Sequence, residues 1–203
     1  MTKGNTTKVF IAPGDSYNAA ISMFERAGFT VVRDYEEVDL VCFLGGTDVD
    51  PAIYNEERGP HTQSPDRQRD AIEVALYRKF LDVPKVGICR GGQLLNVLNG
   101  GKMIQHLGKC ISGDVKDDMG RVMRVDHHQG MVHSHDDRSE LMSYHRLPHT
   151  EIEWPDYAIM YESTKSLCFQ PHPEWQHEPT RKYFFELIER YFGFARKNDA
   201  CAA

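Results

Sequence analysis

Long apolar runs are missing from this 203-residue chain, and none approaches the roughly 18 positions that a membrane-crossing helix needs. No membrane role is therefore expected. Basic charge is also in deficit: 24 Lys and Arg against 30 Asp and Glu leave a net charge of -6, without the clustered basic face that nucleic acid requires. Cysteine is sparse and unpaired in pattern. Cys42, Cys89, Cys110, Cys168 and Cys201 form no CxxC pair, and their odd number argues against a disulfide framework. Residues 1–8 carry lysine but no apolar segment ahead of a small-residue cleavage site, so no signal peptide is expected. Together these deficits predict a reduced, cytoplasmic protein.

What is present is ordinary for a globular protein, with hydrophobic residues at 40% and charged residues at 27%. Short apolar runs at Val9 to Ala12, Phe29 to Val32, Leu40 to Leu44 and Val86 to Ile88 have strand length, and Gly or Pro interrupts the chain beside most of them. Between them, the apolar positions from Ser16 to Ala27 and from Arg67 to Phe80 recur at helical spacing. In the second, Ala71, Ile72, Ala75, Leu76 and Phe80 form the expected buried stripe. Gly91 to Leu98 reads as a buried helix, and Pro179 to Arg196 as a closing amphipathic one. Thr47 to Asp66 reads as a surface loop, and Trp154 to Phe169 as antiparallel strands around a turn near Ser163 to Ser166. The polar, histidine-rich stretch from Lys109 to Thr150 gives no clear elements. Strands alternating with helices predict an α/β fold, a mostly parallel central sheet with helices on both faces. No repeat, low-complexity segment or linker is visible. A single domain over 1–203 is expected, with a frayed tail after about 197.

The chemistry-bearing stretch is Val86-Gly87-Ile88-Cys89-Arg90-Gly91-Gly92-Gln93. It sets a nucleophile-type residue between a strand and a helix in a Gly-x-Cys-x-Gly frame, the layout of a nucleophile elbow. A thiol there sits at the positive end of the helix dipole, which favours the thiolate, and the N–H of Arg90 is free to face an oxyanion. A thiolate also needs an oriented base. Phe169-Gln170-Pro171-His172-Pro173-Glu174-Trp175 supplies a candidate, in which Glu174 steadies the His172 tautomer. A buried structural cysteine and a loop histidine are the competing reading for each motif taken alone.

With these motifs in view, the chain resembles the class I glutamine amidotransferase superfamily, which has a flavodoxin-like fold. Within it, the chain looks closest to the γ-glutamyl hydrolase branch, peptidase C26-like, that includes γ-glutamyl-γ-aminobutyrate hydrolases. The likeness runs in order through Leu44-Gly45-Gly46-Thr47-Asp48-Val49-Asp50-Pro51-Ala52-Ile53-Tyr54, Asp66-Arg67-Gln68-Arg69-Asp70, Gly87 to Asn96, Gly100-Gly101, His127-His128-Gln129 and His172 to Trp175. The resemblance implies a Cys89–His172–Glu174 triad and an oxyanion hole from the N–H groups of Gly46 and Arg90. It also implies a glutamyl-binding set of Gly45, Gln93, His128 and Gln129. Glycine at 46 suits a backbone that must approach a reacting carbonyl closely.

The implied reaction is hydrolysis of a small-molecule γ-glutamyl amide through a thioester, with no cofactor. The alternative is a glutaminase subunit that delivers ammonia to a synthase on a separate chain. Arg124 and Val125 stand where the branch has Asn-Ser, Pro171 replaces its usual aromatic, and Met131 to His149 matches no pattern of that branch. These departures bear on the substrate more than on the reaction. The Arg90 side chain is open to two readings, a carboxylate reader or a salt-bridged residue. Two further classes compete: a zinc site drawn from His127, His128, His133 and His135, and a binding protein that keeps the fold without turnover.

Overall fold

Apolar runs cut by glycine, proline and acidic turns set the element order. In the computed structural model, residues 6–134, 139–144 (backbone alone) and 155–195 are described. The elements begin with β1 (Lys8–Ile11), α1 (Tyr17–Arg26), β2 (Thr30–Val32) and β3 (Leu40–Phe43). Next come α2 (Arg67–Lys79), β4 (Lys85–Ile88), α3 (Arg90–Leu98) and β5 (Lys102–Ile104). The antiparallel pair β6 (Ile111–Lys116) and β7 (Val122–His127) leads to β8 (Gly130–Val132) and β9 (Ser139–Tyr144). The chain closes with β10 (Asp156–Tyr161), β11 (Ser166–Phe169) and α4 (Glu178–Phe192).

Among the described residues the main sheet runs β2-β1-β3-β4-β11-β10-β8-β5, with β9 also paired to β10. From β2 to β11 every pairing is parallel, and from β10 onward every pairing is antiparallel. The fold is thus α/β, with helices on both faces of a mostly parallel centre. Alternation along the strands explains how one sheet serves two cores. Leu40 and Cys42 of β3, Val86 and Ile88 of β4, and Leu167 and Phe169 of β11 face α1 and α4. Val41, Phe43 and Cys168 face α2 and α3. Phe24, Phe29, Phe184 and Phe185 build an edge-packed aromatic cluster on the first face, with ring centroids 5.4 to 6.2 Å apart.

Several expectations shift in detail. Helix α4 ends at Phe192 because Gly193 takes a left-handed φ of 72° as its cap. The loop after β3 contains one turn of 3-10 helix at Pro51–Tyr54, started by the Asp50 side chain. The hairpin β6–β7 resolves much of the middle that sequence left unread, whereas Thr150 and Trp154 lie outside the described residues. Helix α2 departs most from expectation. Its predicted apolar residue Ile72 is 52% exposed, while Asp70 and Glu73 are buried. Lys85 is buried too, its Nζ donating to the carbonyls of Phe80, Leu81 and Val83 at 2.6, 3.1 and 2.7 Å. Burial lowers this amine to about 8, and the three carbonyls satisfy it where α2 ends.

The aromatic cluster gives a direct test of the first core. Phe24→Ala should destabilise the fold by about 3–5 kcal/mol, measured by urea denaturation with an unchanged m-value.

Candidate active site

Cys89 occupies the corner between β4 and α3 with φ 51° and ψ -113°, a backbone region that non-glycine residues rarely enter. Its neighbours explain why the turn can be so sharp. A Cβ on Gly87 would run into the Gly91 carbonyl, and a Cβ on Gly91 would run into that of Phe43. The glycine frame is therefore dictated by backbone meeting backbone. The Cys89 sulfur lies 3.8 Å from the Asp126 carbonyl and 3.5 Å from Nε2 of Gln170.

His172 follows β11, and its N–H donates to the Arg124 carbonyl at 2.8 Å. Nδ1 lies 2.7 Å from Oε1 of Glu174, with both side chains nearly sealed from solvent. The Trp175 indole stacks flat on the imidazole at 3.9 Å and 7°, and is itself tied to Ser16 Oγ at 3.1 Å. A Cβ on Gly45 would stand 3.4 Å from His172 Cε1 and 3.8 Å from Cys89 Cβ, so the thiol and the imidazole flank one point. Glu174 takes Nδ1 of His172, which leaves Nε2 for the Cys89 sulfur. Charge and hydrogen bonding couple the ring to the sulfur. Burial pushes His172 down, but the neighbouring Cys89 sulfur and the Glu174 carboxylate outweigh it and lift the ring to about 10.

Gly46 takes φ 147°, and the guanidinium of Arg69 fills the place where its Cβ would be. Arg69 donates to the Leu44 carbonyl at 2.8 Å and to Glu73 at 2.9 Å. Glu73 and Asp70 both grip the buried guanidinium of Arg90, and Asp70 accepts the Asp50 N–H at 3.1 Å. Of the two readings of the Arg90 side chain, the salt-bridged one holds. It is 2% exposed, and its two terminal nitrogens are held by carboxylates of its own chain.

A cavity of about 390 Å³ opens over the sulfur. Gly46, Cys89, Gln93, His128, Gln129 and His172 all line it. Gln129 is 1% exposed, and neither amide atom has a hydrogen-bond partner among the described residues. His128 bridges Nε2 to Asp48 and Nδ1 to His106 Nδ1, both at 3.2 Å. Gln93 reaches the cavity wall, but its Nε2 donates to Gln170 Oε1 at 3.1 Å, a partner that sequence did not suggest. Gln170 and the stacking role of Trp175 both escaped sequence reasoning. A neutral amide and an indole beside a histidine carry no motif of their own.

The competing zinc reading finds no support among the described residues. His133 is held by Asp156 at 2.9 Å, and His135 lies outside the described residues. Among the described residues no three His, Cys, Asp or Glu side chains are arranged to hold a metal. Burial raises Cys42 and Cys168 well above the ordinary thiol value. Cys110 is raised by burial and by Asp126. Cys201 lies outside the described residues.

The Peptidase C26 family profile matches residues 24–152, more than half of the chain. Over 74 residues, 36% of this chain, it is 52% identical to a Mycobacterium tuberculosis protein named "Putative glutamine amidotransferase Rv2859c". It is 40% identical over 105 residues, 45% of the chain, to the "Putative glutamine amidotransferase-like protein YvdE" of Lactococcus lactis. The matches span only 24% and 44% of those two proteins. Among solved structures, PurLQS from Thermotoga maritima superposes with a TM-score of 0.62 at 16% identity, covering 92% of this chain and 99% of that one. A glutamine amidotransferase from the same organism gives 0.57 at 16% identity, covering 91% and 83%. At such identities the structural likeness speaks to the fold alone.

The charge relation between Glu174 and His172 is open to measurement. Removing a carboxylate this close takes away about 1–3 units of upward push. In Glu174→Gln the His172 ring should therefore titrate that much lower by NMR.

Proposed function

The chain belongs to the Peptidase C26 family, and from that premise we propose that it hydrolyses a γ-glutamyl amide, with Cys89 as nucleophile. The observation that carries this reading is one buried assembly: a sulfur on a strained strand–helix corner, an imidazole beside it, and a carboxylate 2.7 Å behind the imidazole. These are the parts that nucleophilic acyl transfer requires.

In the proposed reaction the Cys89 thiolate attacks the γ-carbonyl while His172 holds the proton. The N–H groups of Gly46 and Arg90 receive the tetrahedral oxyanion, and each such donor is typically worth about 10²–10³ in rate. His172 then gives its proton to the leaving amine as the C–N bond breaks, leaving a glutamyl thioester. Water, deprotonated by His172, attacks the thioester and releases glutamate and the thiolate. Gln129 supports the choice of a polar acyl group, because its two buried amide atoms, without partners among the described residues, offer a donor and an acceptor to a zwitterionic glutamyl end. His128, steadied by Asp48, lines the same cavity. The cavity volume falls in the range of about 300–1,000 Å³ usual for small-molecule sites. The names of the curated relatives favour a second reading, in which ammonia released from glutamine passes to a separate synthase chain.

A glutamine-mimicking electrophile should label Cys89 in mass mapping. Cys89→Ser should lower kcat on γ-glutamyl amides by at least about 10³-fold. Turnover of γ-glutamyl amines by the chain alone supports the hydrolase. Turnover of glutamine that appears only with a partner chain supports the amidotransferase.

The raised imidazole sets the alkaline limit. A group lifted to about 10 keeps its proton through neutral pH and loses it as pH rises through that value. The plot of kcat/KM against pH should therefore hold until about 10 and then decline. A decline centred near 6.5 would contradict the thiolate–imidazolium pairing.

A further inference from the structure

We infer that Gln170 is a positioning residue for the Cys89 sulfur, oriented by Gln93 and acting as the neutral donor that steadies the thiolate. The inference rests on the reading of Cys89 as nucleophile and adds a group that neither the triad nor the oxyanion hole contains.

Among the described residues the sulfur has two polar neighbours of opposite sense besides the imidazole. The Asp126 carbonyl, at 3.8 Å, accepts a hydrogen and so suits the neutral thiol. The Gln170 amide nitrogen, at 3.5 Å, donates one and so suits the thiolate. A side-chain amide can turn either end toward a neighbour, and the bond between the two amides couples their orientations. Gln93 Nε2 donates to Gln170 Oε1 at 3.1 Å, so the oxygen of Gln170 is occupied and its nitrogen faces the sulfur. Flipping both amides would keep the bond between them but turn a carbonyl oxygen toward an anion. Charge on the sulfur therefore selects the observed orientation.

The whole relay is shielded from water. Gln170 is 0% exposed, Gln93 3% and Cys89 8%. In such surroundings a hydrogen bond to an anion is stronger than in water. The Gln170 backbone is fixed as well, its N–H donating to the Tyr157 carbonyl at 2.9 Å. Gln93 also lines the cavity, so an occupant that touches it reaches the sulfur through Gln170 without contacting it.

Alkylation of Cys89 by iodoacetamide, followed against pH and mapped by mass, tests this without any glutamyl substrate. Gln170→Met keeps the length of the side chain and removes the donor. It should move the alkylation profile up by about one pH unit and slow the reaction about tenfold below the midpoint, with the melting temperature little changed. Turnover should lose kcat about tenfold at unchanged KM, because the lost donor acts on the nucleophile and not on binding. Gln93→Met frees Gln170 to turn and should shift the profile the same way by less.

A folded Gln170→Met protein with the wild-type profile overturns the inference. Where that variant does not fold, Gln93→Met decides in the same way. The wild-type protein gives a further check by NMR: the Gln170 side-chain amide resonance should move as the sulfur titrates, and a static resonance overturns the proposal. Shifted alkylation without turnover of any γ-glutamyl amide would sink the hydrolase reading and leave this one standing. Turnover with an unshifted profile would do the reverse.

Discussion

The corner at Cys89 is the constraint on which the rest of the structure depends. A non-glycine residue held at positive φ costs on the order of 1–3 kcal/mol and persists only where its surroundings over-determine it. Here they do. Helix α3 is pressed so closely on the sheet that Gly87 and Gly91 have backbone where a Cβ would go, and a Cβ on Gly92 would meet the Phe169 nitrogen at 2.8 Å. Strands β3, β4 and β11 thus form one wall, and α3 cannot move away without exposing Leu94 and Leu95. The strain is borne by the hydrophobic core around it.

A second constraint is electrostatic. The Arg90 guanidinium, one residue past the sulfur, is buried between Asp70 and Glu73 of α2. Glu73 also pairs with Arg69, whose guanidinium holds the Leu44 carbonyl and covers Gly46. Buried ion pairs are weak evidence of net stability, because desolvation offsets most of the attraction, yet losing one partner costs about 3–5 kcal/mol. What this network provides is registry. It ties the main chain of Gly46, in the loop after β3, and the main chain of Arg90, at the start of α3, to a single helix turn. The charged residues of α2 thereby explain how a helix with a poor apolar stripe still buries one face.

These points mark how far the sequence could be read. The parallel strands were legible because each is a short apolar run, and β4 with α3 because glycines frame the cysteine. His172 and Glu174 were legible because they lie two residues apart and need no long-range contact to be paired. Arg90 was left open because its partners stand 17 and 20 positions earlier in sequence, on a helix whose hydrophobic pattern pointed to Ile72 instead. The hairpin β6–β7 was missed because Gly113, Asp114 and Asp126 are poor strand formers, and cross-strand pairing overrides that preference. Gln170 went unread because only the folded chain brings it beside a sulfur 81 positions away.

The burial of the proposed triad, finally, sets the character of its chemistry. Glu174, His172 and Cys89 are almost wholly withdrawn from water, and the Trp175 indole covers one face of the ring. In that setting an unpaired charge is expensive, so the groups favour states in which each charge has a partner. Glu174 needs a donor, and an imidazolium supplies it. The imidazolium in turn needs an anion on its far side, and the sulfur is the group within reach. The raised value of His172 follows from this sharing rather than from any one contact, and burial alone would have driven it the other way. Under the proposed reading, the pair is organised for charge before any substrate arrives.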